Sequence, residues 1–132
     1  MKSDLKIRQF KPNNNNISEL YSFSFDLPLL IERIKHEEYR KKEPLNAMTL
    51  LHSASKRVVL IALEPDTEIK SYQAQGSLKL QVFEGEVKFQ TRKNTVILTS
   101  GQKLMIHDRI KYKLTALEVS VVLLTITTHV EN

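Results

Sequence analysis

The chain of 132 residues contains no cysteine. That excludes a disulfide framework, thiolate metal sites and a cysteine nucleophile, and a reducing compartment fits best. No apolar run approaches the ~18 residues that a membrane-spanning helix needs. A charged start followed by an apolar core of secretory type is also missing near the N-terminus. The expectation is a soluble, cytoplasmic protein with no membrane partner. The net charge of +5 and pI near 9.5 permit weak attraction to nucleic acid or anionic surfaces. Nucleic-acid readers, however, concentrate Lys and Arg on one element beside aromatic platforms. Here the basic residues are spread along the chain, so a solvated basic surface is expected and nucleic acid is not an expected partner.

What remains is globular. Hydrophobic residues make up 41% and charged residues 27%, which is ordinary for a folded domain. A chain of this length buries a core without staples and reads as one domain.

Residues 1–25 include "KPNNNN", a polar low-complexity patch that cannot pack a core. They are expected to form a polar, partly disordered arm, with room for a short strand at "YSFSF". From Asp26 the pattern changes: Leu27, Leu30, Ile31 and Ile34 share one helical face. Asp26 can cap this helix, and Pro28 is tolerated in its first turn. Pairs from Glu37 to Lys41 and Glu38 to Lys42 would each add a few tenths of a kcal/mol. Pro44 ends the segment, giving a helix over about 27–42.

Beyond Pro44 the hydrophobic period switches to two. The alternation predicts strands at 47–52, 57–63, 68–74, 77–83, 87–91, 95–99, 103–106, 109–116 and 119–127. Between them lie "EPDT", "EGE", "KN", "SG" and "HD", the turn chemistry of tight antiparallel connections. Many short, evenly spaced strands mean an all-β sandwich or closed barrel spanning 26–132. "RVVLIAL" and "VSVVLLTI" are apolar on both faces, so each needs cover outside the barrel as well as inside. The helix can supply one cover and a partner chain the other, which predicts a homodimer.

The stretch from Asp66 to Ala116 resembles the cupin family of small antiparallel barrels, of RmlC-like, single-domain type. The first family motif places its closing glycine at Gly85 in "VFEGEV", where a residue able to take positive φ is favoured. Its opening glycine falls at Asp66, its two histidines at Tyr72 and Ala74, and its glutamate at Leu78. The second motif starts at Gly101 and puts its proline at His107, its glycine at Arg109, its histidine at Tyr112 and its asparagine at Ala116. The likeness runs over about 46–127 and implies a jelly-roll barrel with one N-terminal helix. All four metal positions of the family pattern therefore carry other residues: Tyr72, Ala74, Leu78 and Tyr112. Ala74 and Leu78 have no donor, and neutral phenols are poor ligands for common divalent metals. No metal and no other cofactor is expected.

In "RIKYKL", Ile110, Tyr112 and Leu114 share one face, while Arg109, Lys111 and Lys113 share the other. Tyr112 is thus on the apolar side. The resemblance turns Tyr72 inward as well, with Leu78, Leu80 and Val82. The candidate ligand pocket is Tyr72, Ala74, Leu78, Leu80 and Tyr112, open to a small organic molecule. Three readings stand side by side. The phenols fill space where related barrels hold a metal, as in a structural dimer; or they orient a ligand; or they serve a metal-independent isomerase or lyase. The last needs a histidine or carboxylate partner, and no catalytic residue is assigned. His107 and Asp108 read as a turn, His52 as a strand end, and Glu84 and Glu86 as solubilising residues of a hairpin at Gly85.

Overall fold

The computed structural model describes residues 6–9, 24–36, 43–71, 76–107 and 110–128. The elements are β1 (Lys6–Gln9), α1 (Leu27–His36), β2 (Leu45–His52), β3 (Lys56–Leu63), β4 (Glu68–Ser71) and β5 (Ser77–Glu84). They continue with β6 (Glu86–Gln90), β7 (Thr95–Thr99), β8 (Lys103–Ile106), β9 (Tyr112–Ala116) and β10 (Ser120–Thr127). One sheet runs β1-β2-β3-β10-β5-β8 and the other β4-β9-β6-β7. Pairing is antiparallel except at β1, which lies parallel to β2.

Alternating residues of the two sheets meet in the middle. Ile61, Leu63, Leu80, Val82 and Val122 from one sheet pack with Val87, Phe89, Leu98 and Leu114 from the other. A second apolar layer lies outside the six-stranded sheet. There α1 lays Leu30, Ile31 and Ile34 on Met48, Leu50, Leu60, Ala62 and Val121. The helix starts where the sequence puts its cap: the Leu29 amide donates to Asp26 Oδ1 at 3.2 Å, and the Leu30 amide to the Asp26 carbonyl at 3.0 Å. The expected continuation over 37–42, with its Glu–Lys pairs, lies outside the described residues.

The two strands that are apolar on both faces turn out to be neighbours. Val121 stands opposite Ala62 and Leu123 opposite Leu60 in the β3–β10 register, so a single helix covers the outer faces of both. At its C-terminal end α1 is also tied to β5, since Lys35 Nζ lies 2.9 Å from a Glu84 carboxylate oxygen. The hydrogen bond to Glu84 holds the Lys35 ammonium above its ordinary value, with burial opposing. A raised folded-state value means the contribution is complete below the unfolded lysine pKa and is lost as pH climbs through the folded one. Being partly exposed, the pair contributes no more than ~1 kcal/mol.

Four expectations change. The arm contains a strand, β1, which adds to the edge of the six-stranded sheet by backbone pairing. "YSFSF" does not form one within its described part: Ser24 and Phe25 are irregular, and Phe25 packs under the helix. Its first three residues lie outside the described residues. The stretch at Glu84-Gly85-Glu86 is not a hairpin. β5 and β6 belong to different sheets, and Gly85, at φ 93°, is the corner where the chain crosses between them, which leaves Glu84 free to meet Lys35. Finally, Ile110 and Lys111, expected within a strand, precede β9, which begins at Tyr112; Arg109 and residues 72–74 of the expected strands lie outside the described residues.

Ile34 is wholly buried between helix and sheet. Ile34→Ala should therefore lower stability by about 2–4 kcal/mol in chemical denaturation, and a loss below 1 kcal/mol would mean the helix is not held on the sheet. Gly85 is constrained twice, by its positive φ and by the Ser120 side chain and Val119 carbonyl that an added Cβ would strike. Gly85→Ala is expected to cost about 1–3 kcal/mol, read as a lowered melting temperature.

Candidate functional site

The two ends of the barrel differ in construction. The far end is closed by backbone and hydroxyl hydrogen bonds. Ser120, fully buried, accepts from the Glu86 amide at 3.2 Å and donates to the Glu118 carbonyl at 2.7 Å. The Asp66 amide donates to the Ala116 carbonyl at 2.7 Å, and the Ala116 amide to the Thr67 carbonyl at 2.9 Å. The near end is where β9 begins and β10 finishes.

Strand register shows what faces inward there. Leu80, Leu124, Val59 and Thr49 form one cross-strand row across β5, β10, β3 and β2. One row nearer that end stand Ile106, Leu78, Ile126, Arg57 and His52. Arg57 is in phase with Val59, Ile61 and Leu63, all of which pack in the central core. Its Cβ therefore starts on the inner side. The guanidinium Nε is buried and has no hydrogen-bond partner. A buried donor left unpaired costs about 1–3 kcal/mol, so this arginine is held at a disadvantage.

From the opposite sheet comes Tyr112, the first residue of β9 and 8% exposed. Its ring stacks on Phe89, with centroids 5.1 Å apart and planes 23° from parallel. Such a pair adds roughly 0.5–1.5 kcal/mol beyond area burial and fixes the ring that carries the hydroxyl.

The inward positions expected for Leu78, Leu80 and Tyr112 are thus those of the structure, and all three join one core. Tyr72 and Ala74 lie outside the described residues. His107 follows β8 and is exposed, while Asp108 lies outside the described residues. His52 is the last residue of β2, on the inner side by register yet exposed. Arg57 was not singled out by sequence reasoning. Its signal was available: a charged residue in the same period-two phase as three core aliphatics. It was obscured because "RVVLIAL" is apolar at both phases, so neither could be assigned to the inside.

The glycine spacing also acquires a physical basis. Gly85 and Gly101 have φ of 93° and 87°, and Asp66, at the position of the opening family glycine, has φ of 69°. Asp is among the few residues besides glycine that enter this region. The corners that the family pattern marks with these glycines are thus made here by residues at positive φ. The protein has the cupin fold. Solved structures agree. The chain is similar to a cupin superfamily protein from Desulfitobacterium hafniense at 13% identity, with a TM-score of 0.63 over 68% of this chain and 82% of that one. It is similar to an RmlC-like cupin from Shewanella frigidimarina at 17% identity, with a TM-score of 0.59 over 67% and 79%. A protein of unknown function from Streptococcus pyogenes matches at 17% identity, with a TM-score of 0.64 over 69% and 80%. No protein-family model and no curated protein matches the chain.

The metal that many cupins hold does not fit this barrel. At two of its family positions Leu78 is core hydrocarbon and Tyr112 offers a neutral phenol, a poor ligand for common divalent metals. Ala74 carries no donor in any conformation. Among the described residues no three histidines and carboxylates come together, whereas transition metals require several such donors.

Because its Nε is unpaired, Arg57 contributes little to stability. Arg57→Met is expected to leave folding free energy unchanged or raise it by about 1 kcal/mol. A loss above 1 kcal/mol in urea denaturation would show that the guanidinium is paired in solution.

Proposed function

We propose that this cupin barrel is a metal-free binding module, taking a small, partly apolar molecule at the near end between Leu78, Leu80 and Tyr112. The observation that carries this reading is the inward Tyr112, a polar tip on a ring fixed by Phe89, at the end of the barrel where Leu78 and Arg57 share one row. A phenol adds a donor and acceptor that can orient a ligand. Ligands in such sites are bound mostly through apolar contact, with a few polar groups fixing orientation. Acid or base catalysis by Tyr112 would need a neighbour tuned towards the working pH, and the described histidines, His36, His52 and His107, are all exposed.

A thermal-shift screen of small organic compounds tests the proposal. A ligand at a hundred times its Kd adds about 2.7 kcal/mol, a rise of roughly 10 °C for a domain of this size. Tyr112→Phe should weaken the ligand about five-fold, the worth of one hydrogen bond of ~1 kcal/mol. An equal response from wild type and variant would return Tyr112 to the role of core filler.

A further inference from the structure

Folding does to the charges what the linear sequence conceals. Within the described residues, Glu43, Glu64, Asp66, Glu68, Glu86 and Glu118 all lie at the far end, as does Glu84 where it meets Lys35. The remaining described acids, Asp26 and Glu32, belong to the α1 segment. The near end carries His52, Lys56, Arg57, Arg92, Lys93 and Lys111, from the ends of β2 and β3, the β6–β7 turn and the approach to β9. Among the described residues no acid of the strands or their turns stands at that end. The barrel is polarised, and its positive end is the one where Tyr112 faces inward.

We propose that the ligand of this end is a small organic acid whose carboxylate is received by Arg57. This rests on the binding reading above and adds the chemical class. Three observations converge on it. The Arg57 Nε is buried without a partner, a cost relieved when an anion accepts from it. The guanidinium is a planar fork whose paired N–H groups match the two oxygens of a carboxylate. Its cross-strand neighbour Ile126 and, beyond it, Leu78 line the same row, with the Tyr112–Phe89 stack at the same end of the facing sheet. An anionic head with a compact apolar or aromatic body meets both halves of this surface, while the surrounding cations raise the local concentration of anions.

The test is a titration followed by NMR with a panel of straight, branched and aromatic monocarboxylic acids, each paired with its primary amide. The expected result is that at least one acid binds ten-fold or more tightly than its amide and shifts the backbone amides of Leu78 and Ile126. Arg57→Gln should then lower affinity for that acid at least ten-fold and leave the amide within two-fold. Arg57→Lys, which keeps charge but loses the fork, should fall between. If acids and amides bind alike and Arg57→Gln changes neither, the anion assignment is overturned and the pocket stands. If nothing in the panel binds, both fall. Tight binding of a single-stranded oligonucleotide with no response to any acid would also overturn both, assigning the positive end to a polymer surface.

Discussion

Everything in this molecule is arranged around a pair of strands that cannot tolerate water on either side. β3 and β10 run through the middle of the six-stranded sheet with hydrocarbon on both faces. The inner face is dried by the four-stranded sheet, which makes the barrel. The outer face is dried by α1, which is why a short helix with three buried residues, Leu30, Ile31 and Ile34, matters more than its length suggests. Because the strands are adjacent, one amphipathic face suffices for both.

Much of the architecture was legible in the sequence for simple reasons. The switch from a helical period to a period of two at Pro44 marks the boundary between α1 and the barrel, and the strand ends then follow the turn residues closely. Asp26 acted as the cap that its position implied. Two things were not legible. Which strands lie side by side is a long-range property, and without it the two-sided apolar strands seemed to call for two separate covers. The partner of a corner was equally hidden: "EGE" has the chemistry of a hairpin, and only sheet membership reveals that the chain crosses there instead of turning back.

The site shows the same division. The face of Tyr112 could be read from "RIKYKL" because its polar and apolar phases are cleanly separated. Arg57 could not, since both phases of its strand are apolar. The clustering of positive charge at one end was hidden altogether. Basic residues spaced evenly along a chain can still gather, because antiparallel strands bring alternate turns to the same pole. Positive φ at Asp66, Gly85 and Gly101 sets corners of the barrel, and such a scaffold holds its shape independently of the chemistry it hosts.

The parallel strand β1 has a further consequence. Without it, β2 would be the outermost strand of the sheet, with a row of amides and carbonyls facing solvent, and such a row invites pairing with another chain. β1 takes those groups through its register with residues 46–49, and it comes from the most polar, least core-like part of the sequence. The asparagine-rich arm thus includes the segment that forms the sheet's border and takes β2 into its interior.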